Sequence, residues 1–207
     1  MTSSFLRPAF ALALALSLTA CGGKASFPIA GTIVGLNYGG LVLNTNGMDL
    51  PVAANSTTFS FPNSLSYGEV YNVIPKHQPD HQTCTVGAFS GPGGVIYNGA
   101  TDTAGRLGTI NIGVACSMNV AAVGGTITGL TSLGLQLTNG STGGIAAPAA
   151  DATTFVLPNA VAYGVTYGVT VLAQPANDVC SVTSNGAGTM GDTAITNIAV
   201  TCVPKPA

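Results

Sequence analysis

Side chains able to do chemistry are few in this sequence, and their spacing decides what they could do. Two histidines stand in Lys76-His-Gln-Pro-Asp-His81, and His77, Asp80 and His81 form the one candidate metal set. Imidazole with carboxylate suits transition metals. Pro79 breaks any helix there, so the i, i+4 spacing does not bring both rings onto one face. The matching stretch further on, Ala173-Gln-Pro-Ala-Asn177, carries neither histidine. The expectation is a solvated loop between strands and no bound metal. A Gly-x-Ser-x-Gly nucleophile elbow is absent. Gly87-Ala-Phe-Ser-Gly-Pro-Gly-Gly94 lacks the Lys of a phosphate-binding loop. Glu69 is the only Glu, and acid–base work by paired carboxylates needs two that converge. Asp102 and Asp192, in Thr101-Asp-Thr and Gly191-Asp-Thr, read as matching turn caps. Calcium would need more oxygen ligands than so acid-poor a chain supplies. No catalytic residue, metal or cofactor is expected, and the chain reads as no enzyme.

Charged residues make up 6% of the 207, where a soluble domain has about a quarter. The net charge is −2 and no basic cluster exists, which excludes nucleic acid as an expected partner. Thr, Ser, Asn, Gly and Ala must build the surface. Little charge repulsion then opposes self-association.

Near the N-terminus, Arg7 precedes an apolar run from Ala9 to Leu18, followed by Leu18-Thr-Ala-Cys21-Gly-Gly23. The run is too short to span a bilayer. This stretch resembles the signal peptide and lipobox of bacterial lipoproteins. The resemblance implies a signal peptide over 1–20, a lipidated tether over 21–27, and membrane attachment through acyl chains (palmitate among them) on Cys21. It also implies a bacterial cell-envelope location, anchored at the outer membrane.

The rest of the chain is a tandem repeat. Gly31-Thr-Ile-Val-Gly-Leu matches Gly125-Thr-Ile-Thr-Gly-Leu at an offset of 94. Thr58-Phe-Ser-Phe-Pro-Asn63 matches Thr154-Phe-Val-Leu-Pro-Asn159, and Tyr67, Tyr71, Pro79 and Cys84 match Tyr163, Tyr167, Pro175 and Cys180, all at 96. Ile112-Gly-Val-Ala-Cys116 matches Ile198-Ala-Val-Thr-Cys202 at 86. The modules are drawn at 28–118 and 122–204. Setting Cys21 aside, each holds two cysteines, and the economical disulfides are Cys84–Cys116 and Cys180–Cys202.

Gly and Pro are frequent and β-branched residues cluster between turn signals, so helices are not expected. Strands are expected near 29–35, 40–44, 47–53, 56–61, 68–75, 82–88 and 108–116. In the second unit they fall near 124–129, 133–138, 143–148, 152–156, 164–173, 178–183 and 193–202. The fold class is all-β: two small tandem β-sandwiches, immunoglobulin-like or prealbumin-like, each with an internal disulfide. The order of Gly-initiated strand, Thr58-Phe-Ser-Phe61 and Tyr67-Gly-x-x-Tyr71-x-Val73 resembles Cna-B and carboxypeptidase-regulatory-like surface modules. The endings Thr109-Ile-Asn-Ile-Gly-Val-Ala-Cys116 and Ile195-Thr-Asn-Ile-Ala-Val-Thr-Cys202 resemble a Cys-containing repeat of bacterial surface lipoproteins.

Ten more residues separate the cysteines of the first unit than those of the second. They fall in the 87–108 loop, whose Phe89, Val95, Ile96, Tyr97 and Arg106 are the candidates for partner contact. The leading functional expectation is a structural or adhesion module at the envelope, with an envelope or surface protein as partner and self-association through exposed strand edges. The alternative is a periplasmic binding or accessory subunit that uses the 87–108 loop.

Overall fold

The computed structural model describes residues 25–90, 96–140 and 143–206. The first unit contains β1 (Ser26–Phe27), β2 (Ile29–Val34), β3 (Val42–Thr45), β4 (Met48–Pro51), β5 (Thr58–Ser60) and β6 (Leu65–Ser66). It continues through β7 (Val70–Asn72), β8 (Ile74–His77), β9 (Gln82–Val86), β10 (Thr101–Thr103) and β11 (Ile110–Met118). The second unit has β12 (Val120–Ala121), β13 (Val123–Thr128), β14 (Gln136–Asn139), β15 (Ile145–Ala146) and β16 (Thr154–Val156). Then come β17 (Val161–Ala162), β18 (Thr166–Ala173), β19 (Asp178–Ser184), β20 (Ala187–Thr189) and β21 (Ile195–Pro204). The described residues contain no helix.

Each unit is a two-layer sandwich. Sheet β5-β2-β11-β9 packs on β4-β3-β8, and sheet β16-β13-β21-β19 packs on β15-β14-β18-β20. The inward residues of both layers meet in one core per unit. Ile29, Ile33, Leu43, Val73 and Ile112 fill the first, and Ile127, Leu137, Val169 and Ile198 fill the second. The first long strand runs parallel to the last in each unit, β2 to β11 with Ile29 opposite Ile110 and β13 to β21 with Ile127 opposite Val200. The repeated Gly-Thr-Ile motif has its cause in this pairing. A Cβ on Gly31 would lie 2.1 Å from the Ile112 carbonyl and 2.5 Å from the Phe59 ring. A Cβ on Gly125 would lie 1.9 Å from the Ile198 carbonyl.

The disulfides Cys84–Cys116 and Cys180–Cys202 join residues directly opposite each other in antiparallel pairs, at a Cα separation of 3.9 Å in both. At such close, non-hydrogen-bonded pair positions the N–H and C=O point away from the partner strand. Cys84 and Cys180 are buried, so those groups need another partner. A glutamine supplies it twice. Cys84 N donates to Gln78 Oε1 at 2.7 Å, and Gln78 Nε2 donates to Cys84 O at 3.1 Å. Gln174 brackets Cys180 in the same way at 2.7 and 2.9 Å. The amide acts as one residue of an extra strand, closing the edges of β9 and β19 where a foreign strand could otherwise add.

The expected strand over 68–75 is broken at Val73 into β7 and β8. The pairing with β3 slips at this place, where Leu43 faces Pro75 but Val42 faces His77, and the second unit slips at the matching place, where Leu137 faces Val171 but Gln136 faces Ala173. The second unit has Val171 in place of Pro75 and keeps β18 continuous. The two-residue pairs β1–β6 and β12–β17 and the short strands β10 and β20 are additions to the expected set, too brief for an alternating pattern to reveal.

Replacing Gln174 by Ala strands two buried backbone groups and is expected to cost about 2 kcal/mol. It should appear as a lower urea midpoint for the second core with an unchanged slope. Tyr71 gives the opposite case. Its hydroxyl is buried without a hydrogen-bond partner, and burial, with Asp102 nearby, raises its pKa. Tyr71→Phe removes the unpaired group and is expected to leave stability unchanged or raise it by about 1 kcal/mol in the same titration.

Candidate functional site

Among the described residues, side chains of the two units converge at the junction between them. His81 follows β8 at a left-handed backbone position with φ of 59°. Its ring stacks on Tyr163 with centroids 3.7 Å apart and planes 6° from parallel. His81 Nδ1 lies 2.6 Å from Asp192 Oδ2. Tyr38 meets both rings edge-on, at 5.1 Å from His81 and 5.9 Å from Tyr163. Asn119, the single residue between β11 and β12, ties the backbones together. Its N–H donates to the His81 carbonyl, its carbonyl accepts from Tyr163 N–H, and its side chain accepts from Thr83 Oγ1. Tyr67, equivalent to Tyr163, stays 75% exposed and lies over Gly105.

The loop of extra residues folds back onto its own sheet. Phe89 covers Gly113, where a Cβ would come within 2.3 Å of the ring. Tyr97 is buried against Phe89 at 4.8 Å. Asn98 then occupies the slot beside β11 that β9 has vacated. Asn98 N donates to the Asn111 carbonyl, and its side chain accepts from Asn111 N. The second unit, with no such loop, fills the same slot with the Asn185 amide, which donates to the Asn197 carbonyl. Of the five residues expected to meet a partner, Phe89 and Tyr97 therefore cover the module itself. Ile96 is exposed, Arg106 pairs with Asp102 at 3.3 Å, and Val95 lies outside the described residues.

The candidate metal residues do not converge. His77 ends β8, and His81 turns to the second unit. Among the described residues no three His, Cys, Asp or Glu side chains are placed to hold a metal. Lys76 Nζ meets Asp49 Oδ2, and Asn44 Nδ2 donates to Asp49 Oδ1, on a solvent-exposed face. The hydrogen bonds from Lys76 and Asn44 lower the Asp49 pKa. Asp102 and Asp192 are not equivalent. Asp102 lies opposite Tyr71, and Gly188 lies opposite Tyr167. By this register Asp192 corresponds to Arg106, so the charge at that position is reversed between the units.

A second exchange hides in the loops after the first strands. Gln82 is buried; its Oε1 accepts from Asn37 N and Tyr38 N, and its Nε2 donates to Gly35 O at 2.6 Å. Gln82 thereby fixes the loop that carries Tyr38 to the junction. Asp178 stands in the same place in the second unit and is 1% exposed. It accepts from Ser132 Oγ at 2.6 Å, Thr131 Oγ1 at 2.8 Å, and the backbone N–H of both residues. The Ser132 hydroxyl bond leads a set that, against the opposing effect of burial, lowers the Asp178 pKa to about 2. The Gln-to-Asp exchange conceals this shared role from sequence comparison. The Gln-Pro pairs at 78–79 and 174–175 were the one visible sign of the glutamine brackets.

No protein-family model matches the chain, and no curated protein matches it. Solved structures that resemble it include the major pilin protein T3.2 of Streptococcus pyogenes serotype GAS13637. That match has 11% identity and a TM-score of 0.29, covering 88% of this chain and 98% of the pilin. The major pilin protein T-13 from serotype GAS131465 of the same species matches with 9% identity and a TM-score of 0.28, over the same shares. Likeness this low lends the chain no function. The matched proteins are described as pilins and not as outer-membrane lipoproteins. The expected setting as an outer-membrane lipoprotein, with acyl chains and palmitate on Cys21, outer-membrane anchorage and an envelope partner, is not borne out by these matches and is not carried further. Cys21 and the expected signal peptide over 1–20 lie outside the described residues.

Because the folded pKa of Asp178 lies below its ordinary value, its contribution to stability is full above about pH 4 and is lost as pH falls toward 2. The urea midpoint of the second core is expected to drop across that window. In Asp178→Gln, which copies Gln82, that drop should be much reduced.

Proposed function

We propose that this chain is a non-catalytic structural and adhesive module. The observation that carries the reading is the outer face of the second unit's sheet β16-β13-β21-β19. Thr154 stands opposite Thr126, Thr128 opposite Thr201, Ser181 opposite Thr201, and Val179 opposite Val203. Most of these side chains are exposed, and none is charged. A small recess on the same face, lined by Gly124, Thr126, Phe155, Val156 and Ile195, is apolar. The face offers methyl and hydroxyl groups in a fixed array and no group able to donate a proton at neutral pH to a reacting substrate. Such a surface suits broad contact and not chemistry. The two closed disulfides and the glutamine-capped edges support the same reading, because they hold the array rigid and limit strand exchange.

The test is adherence of beads coated with the protein, scored against one another and against protein- and polysaccharide-coated surfaces. Wild-type beads are expected to adhere, and the double substitution Thr126→Lys with Thr201→Lys to abolish adherence while both disulfides still form. Absence of wild-type adherence to every surface, or full adherence by the double variant, would overturn the proposal.

A further inference from the structure

We infer that the junction is a proton-controlled latch, with His81 as the switch that sets how firmly the two units hold one orientation. The inference is independent of what the sheet faces bind. Three elements of different origin pack on this one imidazole. Tyr163 follows β17 and stacks on it, Asp192 precedes β21 and bonds to it, and Tyr38 follows β2 and meets its edge. The titratable groups facing His81 are these three, two phenols and one carboxyl group. Asp80 precedes His81 in its own loop and gives its backbone N–H to the Gly39 carbonyl. Arg106, Lys76 and Lys205 have their partners elsewhere.

The chemistry of the contact changes with one proton. A neutral imidazole makes an ordinary hydrogen bond to the Asp192 carboxylate. An imidazolium makes a charge-assisted one, which is shorter and stronger. The same proton turns the stack on Tyr163 into a cation–π contact. Both changes act across the junction and neither acts within a unit, so protonation favours the closed junction and leaves the two cores untouched. Histidine changes charge between about pH 5 and 8. The closed junction is therefore favoured on the acid side of that range and loosened as pH rises through it. The partners are partly exposed, with side-chain exposures of 30% for His81 and 44% for Asp192. Solvent screening then limits the shift in the open-to-closed ratio to about threefold to fivefold. Asn119 also ties the junction, through backbone and amide groups that do not titrate.

The test is residual dipolar couplings on the full chain near pH 5 and pH 8, which report whether the two units share one alignment. Wild type is expected to show a common alignment at the lower pH and a divergence at the higher pH equivalent to that threefold to fivefold change. Asp192→Asn keeps a hydrogen-bond acceptor and removes the charge; it should show weakened coupling with little pH response. His81→Phe keeps the stack and removes the proton, and should likewise be flat. Methyl shifts of Leu43 and Leu137 report that both cores stay folded. A wild-type alignment that is the same at both pH values overturns the latch. So does a pH response that persists undiminished in His81→Phe.

Discussion

The cysteine pair that faces across the last two long strands is the constraint on which each sandwich depends. It occupies a position where the strands approach closely, and that position turns the backbone polar groups of the buried cysteine outward. A neighbouring glutamine must then complete the sheet. Disulfide, edge and bracket form one unit, and the sequence repeats all three parts. The strand holding the second cysteine also lies beside the first strand of the module. The cross-link therefore reaches the N-terminal strand through a single shared neighbour, and both sheets pack around that middle.

On this common frame the two units vary in charge and cover. The first lays Phe89 and Tyr97 over its sheet, whereas the second leaves the corresponding face bare. Gln82 and Asp178 perform one task with different pH behaviour. Arg106 and Asp192 carry opposite charge at one position, and only Asp192 meets a histidine. Divergence sits at the loop ends and the sheet face, outside the two apolar clusters.

Much of this was legible in the residues. The recurrence of Gly-Thr-Ile, Thr-Phe and the cysteine endings disclosed two like units. The parallel partnership of first and last strands was not legible, because alternation gives the face of a strand and not its neighbour. The junction was not legible either. His81 stands in a turn, Asp192 lies 111 positions away, and Tyr163 matches a tyrosine that has no such task. Matching Asp102 with Asp192 by their flanking threonines failed because strand register, not local similarity, decides which residues correspond. The reading of the N-terminus as an acyl anchor rested on Arg7, the apolar run from Ala9 to Leu18 and the residues flanking Cys21, and the β fold neither requires nor locates an anchor.

Parallel alignment of the first and last strands brings the chain into each sandwich at one end and out at the other. A pull on the two ends of such a unit drags β2 and β11 past each other along their length. The hydrogen bonds between them, spread over the pairs from Ile29–Ile110 to Val34–Ala115, are then loaded together instead of peeled one at a time. Beyond them the cysteine link stops β11 from sliding off β9. The architecture thus resists tension best along the chain axis, the direction in which a tether between two bodies is stretched.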